Sequence, residues 1–389
     1  MVGFKKRLEY TIKHNTLMQN LYRSVMSSAF SFAGLFIRTD DRLILFNSFG
    51  GRKFNDSPRV LFETMSTDKR FSGYKFVWAF EEPEKFQIKG AESIKIDSWK
   101  YFKTALKAKA WVSSVNIERG LHFKKNNTIY INTWHGAGTK KIGNACSGRK
   151  DYDFSVVDLM LVQSSFEREI FVRDFLCNPK AIRMVGFPRN DELFSLTEER
   201  KVELRKQFNI PKGKKVILYA PTWRDSKDGG MSYEFNPPMN IEKWKRELSE
   251  NYVMLFRMHT LTTKFEMTYD DFARDVSQYE NLNHILAISD VVLTDYSTIV
   301  YDAAIVGSPF LCFGFDYDTY KDERGFYYDL EEVYPGGVLR TEDEVLAAMD
   351  DYVNGKYKEG FMQFKRKYIE AGGTATETII NELAEKLGR

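Results

Sequence analysis

At 389 residues the chain is long enough for two sizeable domains. Its 57 basic and 54 acidic side chains leave a formal net charge of only +3, which excludes a protein coated in positive charge for wrapping a nucleic-acid backbone. A composition 43% hydrophobic and 15% aromatic excludes the sparse, highly charged class that stays unfolded. Cys146, Cys177 and Cys312 lack metal-ligand spacing and cannot build a disulfide framework, so a reducing compartment is the simpler reading and no metal site is expected.

The first 38 residues predict one amphipathic element. Met18, Leu21, Tyr22, Val25, Met26, Ala29, Phe32, Ala33 and Phe36 recur at helical intervals, and Lys5, Lys6, Arg7, Lys13 and Arg23 lie nearby. Such a helix either lies on an anionic membrane, apolar side inward, or packs on the rest of the molecule. The uncharged run Ser24 to Ile37 is 14 residues, short of the roughly 20 that a spanning helix requires, and no small-residue cleavage signature marks a signal peptide.

From Asp41 onward, apolar runs alternate with helical patterns. Leu43 to Phe46, Phe76 to Phe80, Ile94 to Ile96 and Thr128 to Asn132 are candidate strands; Lys103 to Val112 and Phe166 to Leu176 are candidate helices. The alternation predicts α/β structure, a mostly parallel sheet with helices on its faces. The stretch Asn209 to Lys215 reads as a boundary, and the pattern resumes with Val216 to Ala220, Val253 to Phe256, Val291 to Leu293 and Pro309 to Phe313. The expected organisation is therefore an accessory element over 1–38, one α/β domain over 39–210, a second over 211–370 and a terminal helix over 371–389 that is a candidate brace between them. Ligands of open α/β sheets bind beyond the carboxyl ends of the strands, so a site between two such lobes is expected there.

Four islands carry chemistry. Trp134-His135-Gly136-Ala137-Gly138 follows a strand candidate; Gly136 permits a close turn, and His135 is either a proton acceptor near neutral pH or a buried structural histidine. Arg257-Met258-His259 ends another strand-like run, where His259 can donate to phosphate oxygens and Arg257 either joins it or forms a structural ion pair. Asp295-Tyr296-Ser297-Thr298 opens a helix, so Ser297 or Thr298 caps its backbone, with or without an anionic ligand at the same terminus. In Tyr219 to Asp225, Thr222 or Arg224 can meet an anion, and Trp223 either shapes a pocket or belongs to the core. His14, His122 and His284 read as surface or packing residues.

These islands, together with Asn47 to Arg52, Gly186-Phe187-Pro188-Arg189-Asn190-Asp191 and Arg324-Gly325-Phe326-Tyr327, resemble the bacterial CDP-glycerol glycerophosphotransferases, the teichoic-acid primases and polymerases. The resemblance runs from about residue 41 to 370. It implies a GT-B fold, two Rossmann-like domains facing a cleft, the first on the acceptor side and the second binding the donor. It further implies catalytic roles for His135, as base, and His259. Arg224, Ser297, Thr298 and Arg324 would contact donor phosphates, and Gly136 and Asp295 would organise loops. The implied donor is CDP-glycerol or CDP-ribitol, with no cofactor, and the acceptor a lipid-linked saccharide or teichoic-acid precursor at the cytoplasmic face of a bacterial membrane, held peripherally. A nucleotide-sugar glycosyltransferase of the same two-lobed class and an inactive membrane-associated polymer-binding scaffold are the alternatives.

Overall fold

The computed structural model describes residues 16–136, 138–146, 152–222, 238–258 and 270–389. Of the residues singled out above, Lys5, Lys6, Arg7, Lys13, His14, Ala137, Trp223, Arg224, Asp225 and His259 lie outside them.

Helix α1 (Thr16–Phe36) comes first, followed by β1 (Asp40–Asn47), α2 (Asp56–Thr67), β2 (Lys75–Phe80), β3 (Ala91–Lys95), α3 (Trp99–Lys107), β4 (Ala108–Ser113), β5 (Ile129–Asn132), β6 (Leu159–Val162), α4 (Ser165–Asp174) and β7 (Ile182–Met184). The seven strands form one sheet in the order β3-β2-β1-β4-β5-β6-β7, every pair parallel. Successive side chains of a strand face opposite ways. In β1, Leu43 and Leu45 therefore enter one core with Trp111 and Tyr130, while Ile44 and Phe46 enter another with Leu61 and Trp78. Burial on both faces is what a parallel sheet covered by helices requires.

The helix expected over Lys103 to Val112 is corrected here: it stops at Lys107, and Ala108–Ser113 is the strand beside β1. Alanine and lysine favour helix, but intrinsic propensity is a weak force beside tertiary context, and pairing with β1 and β5 outweighs it.

Helices α5 (Asp191–Phe194) and α6 (Glu198–Gln207) lead to β8 (Lys215–Tyr219), α7 (Ile241–Leu248), β9 (Tyr252–Phe256), β10 (Ala273–Asp275), α8 (Leu282–Ile288), β11 (Val291–Thr294), α9 (Ile299–Val306), β12 (Phe310–Phe313), α10 (Tyr317–Glu323), α11 (Leu330–Val333) and β13 (Val338–Leu339). These six strands make a second parallel sheet, β10-β9-β8-β11-β12-β13. Helices α12 (Glu342–Val353), α13 (Lys358–Tyr368) and α14 (Ala375–Lys386) complete the chain.

The terminal segment divides between the sheets. Phe364 and Tyr368 of α13 pack in the second-sheet core with Val300 and Tyr301, whereas Ile379, Ile380 and Leu383 of α14 pack in the first-sheet core. The chain returns between them past Gly186, whose φ is +77° and whose added Cβ would lie 2.7 Å from Gly372 Cα. Glycine is required there by both backbone angle and space. Asp191 accepts from the amides of Ala375 and Thr376 at 3.1 and 2.7 Å, which fixes the start of α14.

Helix α1 has two apolar faces. Phe30 is buried, and Met26, Ala33 and Ile37 pack beside it on the first-sheet core. At 100° per residue the other face falls well away from these, and it leaves Leu21 (65%), Val25 (56%), Phe32 (63%) and Phe36 (76%) exposed. No described helix is long and apolar enough to cross a membrane.

Candidate active site

Strand order reverses between β1 and β4 in the first sheet and between β8 and β11 in the second. In open parallel sheets a crevice opens beyond the strand ends at such a point. In the first sheet, that position holds Asn47-Ser48-Phe49, Ser114 and the His135 turn. In the second, it holds Thr222 and the turn from Thr294 to Thr298.

The His135 turn is heavily constrained. Asn132 accepts from the Trp134 amide at 2.9 Å, and the indole Nε1 donates to the Gly136 carbonyl at 2.9 Å. Trp134 takes φ +49°, costly for a bulky residue, and its ring is held among Phe154, Phe171 and Phe175. The His135 imidazole lies between Trp134 and Phe49, with centroids 4.5 and 5.1 Å away.

His135 Nδ1 lies 2.7 Å from the Ser114 carbonyl oxygen. A carbonyl only accepts, so Nδ1 carries the proton and Nε2 keeps its lone pair. Burial pushes the imidazole pKa below its ordinary value; the Arg189 and Arg52 cations push the same way, while the Ser114 carbonyl and Asp56 oppose. The ring is thus a neutral acceptor at neutral pH. Ser114 is itself fixed: its amide donates to the Asn47 carbonyl at 3.3 Å and its hydroxyl accepts from the Phe49 amide at 3.1 Å.

Across from this turn, Asp295 Oδ1 accepts from the amides of Thr222 at 2.8 Å and Tyr296 at 2.5 Å, joining the ends of β8 and β11. Ser297 Oγ accepts from the Ile299 amide at 3.3 Å at the start of α9, and Thr298 is its N-cap residue without a side-chain cap bond. Gly136 lies directly against it. With φ +117°, a Cβ at Gly136 would sit 2.9 Å from Thr298 Oγ1. The structure therefore brings together His135, Gly136, Asp295, Ser297 and Thr298.

Arg324 follows α10, half-buried, one residue before a segment that meets the extension of the His135 turn. Lys141 N donates to Gly325 O at 3.0 Å, Tyr327 N donates to Thr139 O at 3.0 Å, and the Tyr327 hydroxyl donates to Asp174 at 2.7 Å. The Arg257 guanidinium donates to the carbonyls of Val276 at 3.1 Å and Tyr279 at 2.6 Å, and among the described residues no carboxylate pairs with it.

Several residues at the site had no role assigned from sequence. Ser114 follows β4, the strand read as helix, so its place beside His135 was hidden. Arg189 lies in the Gly186 to Asp191 motif, whose pattern assigns it no role, and Asp56 and Asp302 carry no motif signal.

Two parallel sheets, with the glycine after His135 held against a helix start, define a protein of the α/β class. The family model described as CDP-Glycerol:Poly(glycerophosphate) glycerophosphotransferase matches residues 29–385, and the chain belongs to that family. A teichoic acid poly(glycerol phosphate) polymerase of Bacillus spizizenii is 30% identical over 95% of this chain and 97% of its own length. One of Staphylococcus epidermidis is 32% identical over 89% of this chain, which spans 50% of that longer relative. Among solved structures, a histidine-to-asparagine variant of the wall teichoic acid polymerase TagF matches with TM-score 0.80 and 29% identity, over 100% of this chain and 98% of that one. A TagF variant soaked with CDPG matches with TM-score 0.80 and 28% identity over 98% of each chain.

Proposed function

We propose that this chain, a two-lobed GT-B enzyme, transfers glycerol phosphate from CDP-glycerol to a hydroxyl of a lipid-linked wall teichoic acid precursor, releasing CMP. The observation that carries the reading is His135: its Nδ1–H is tied to the Ser114 carbonyl, which leaves the lone pair on Nε2 as the proton acceptor. In the proposed step the acceptor hydroxyl gives its proton to Nε2 as its oxygen bonds to the glycerol-bearing phosphorus. The bond from that phosphorus to the CMP oxygen breaks. The start of α9, with Ser297 and Thr298, presents amides and a positive dipole end to the donor phosphates. His259, Arg224 and Arg324 are proposed from family resemblance as further donor-side groups, and Asp295 and Gly136 as the residues that shape the two turns.

In this reading residues 39–210 form the acceptor side and 211–370 the donor side of the cleft. Glycerol is placed ahead of ribitol because both relatives named above carry glycerol phosphate in their names. Attachment is proposed to be peripheral, at the cytoplasmic face of the membrane. The exposed stripe Leu21, Val25, Phe32 and Phe36 supports this, because its large apolar side chains are exposed among the described residues while another face of α1 is packed.

The test is incubation with CDP-glycerol, CDP-ribitol and nucleotide sugars, each with a synthetic lipid-linked acceptor, followed by mass analysis of intact products. Addition of glycerol phosphate supports the reading. A ribitol-phosphate product corrects the donor, a transferred sugar overturns the reaction, and acceptor binding without any covalent product points to a scaffold. For attachment, Leu21→Ser with Phe32→Ser should weaken flotation with anionic vesicles while leaving turnover on a soluble acceptor intact; undiminished flotation would refute the stripe.

A further inference from the structure

We propose that Arg189 is a positioning residue that holds the His135 turn and the donor-side helix α9 in one arrangement, with Asp302 as its anchor on α9. The proposal rests on the reading of His135 as the base. The Arg189 guanidinium is largely enclosed and divides its donors among four residues. Nη1 donates to Asp56 Oδ2 and to the His135 carbonyl, each at 3.1 Å; Nη2 donates to both oxygens of Asp302 at 3.2 and 3.3 Å; Nε donates to Asn190 Oδ1 at 3.2 Å. A flat, five-donor fork meets this set, and a lysine ammonium cannot.

Asp56 and Arg189 belong to the first-sheet side, whereas Asp302 lies in α9 of the second. Asn190 Nδ2 reinforces the crossing by donating to Asp302 Oδ1 at 2.6 Å, and Asn283 Nδ2 donates to the Arg189 carbonyl at 2.5 Å. Asp302 stands four residues after Thr298, so the two share a face of the helix. The start of helix α9 therefore reaches the turn that carries the base twice: where its N-cap residue Thr298 lies against Gly136, and through Asp302 and Arg189 at the His135 carbonyl. A structural ion pair alone has no need of that last contact. Displacement of the helix start by a donor phosphate is thereby transmitted to the turn that carries the base. Arg189 also acts on the imidazole electrically, opposing its protonation together with Arg52 and against Asp56.

Arg189→Lys separates geometry from charge. It keeps the cation and loses the fork, so turnover at saturating CDP-glycerol should fall on the order of 10²-fold per folded molecule, as misplacement of a reacting group by about 1 Å does. The donor KM should change less than threefold, and the His135 titration midpoint, followed by NMR of labelled histidine, should stay near wild type. Arg189→Gln combined with Asp302→Asn removes the cation without leaving Asp302 as a buried unpaired charge; there the His135 midpoint should rise. Near-wild-type turnover in Arg189→Lys, or an unchanged midpoint in the double variant, would overturn the proposal. If wild-type protein makes no product from CDP-glycerol, the transfer reading fails by itself, and the titration of both variants still decides whether Arg189 governs His135.

Discussion

The two turns that meet at Gly136 and Thr298 are built on opposite principles. The first-sheet turn presents a side chain: His135 is aimed by a strained Trp134, two flanking rings and a carbonyl at Nδ1. The second-sheet turn presents backbone: Asp295 ties β8 to β11, and the start of α9 projects from it under a light Ser297 contact. A reagent that must hold one tautomer and one direction needs many constraints, whereas a helix start derives its field from the helix itself. Damage should therefore concentrate in turnover at the first turn and in donor affinity at the second.

The largest effect is expected from His135→Asn. Asparagine keeps polar contacts but not a comparable proton acceptor, so single-turnover rates should fall roughly 10²- to 10⁴-fold with donor binding largely retained. For wild type, the acid limb of kcat/KM should lie below the ordinary histidine pKa near 6.5, because burial and the neighbouring cations lower it. Normal turnover in the variant would remove His135 as the base.

Gly136→Ala breaks the contact between the turns. The new methyl meets Thr298 Oγ1 in a backbone region that alanine avoids, so the turns must separate. Turnover should fall about 10²-fold, with unfolding measured in parallel; Thr298→Ser in the same chain gives back no space at Oγ1 and should not restore it. An active, normally stable Gly136→Ala would show that the turns need not touch.

A buried carboxyl behind the first turn gives a stability test with a defined sign. Glu167 accepts from the Gln163 amide at 2.8 Å and side chain at 3.1 Å, and burial pushes its pKa up to about 8. The folded protein then holds this proton between pH 4.5, the ordinary value for a glutamate, and about 8. Its contribution to stability is complete below that window and is lost as pH rises through it. Glu167→Gln should flatten this part of the denaturant-derived stability profile, and an unchanged slope would place the pH dependence elsewhere.

Ser297→Ala should have the smallest effect. Losing its contact with the Ile299 amide should cost on the order of 1 kcal/mol of stability, and donor binding should weaken more than the rate of bound donor. If binding falls only in proportion to the unfolded fraction, Ser297 is a cap and nothing more.

Much of the frame was legible in the chain. Runs such as Leu43 to Phe46 and Val253 to Phe256 are apolar throughout because both faces of a parallel strand are buried, and that composition marks them without help from elsewhere. The strand-to-helix passage Leu293 to Thr298 was equally plain, since β-branched residues end at a capping cluster. Strand β4 was not legible, because the start of Ala108 to Ser113 continues the helical pattern of the residues before it and pairing with β1 and β5 decides it.

At the site, the sequence alone marked two histidines at strand ends, His135 and His259, and left the role of His135 open between proton acceptor and structural residue; the ordered set of motifs added the resemblance that gives both a catalytic role. What surrounds His135 is set by tertiary packing. The carbonyl that selects its tautomer comes from Ser114, the cation that contacts its backbone from Arg189, and the anchor of that cation from Asp302, 113 residues further on. Local pattern reports what a residue can do; proton position and charge balance depend on neighbours brought within about 3 Å by packing of separate sheets, and no local spacing encodes those contacts.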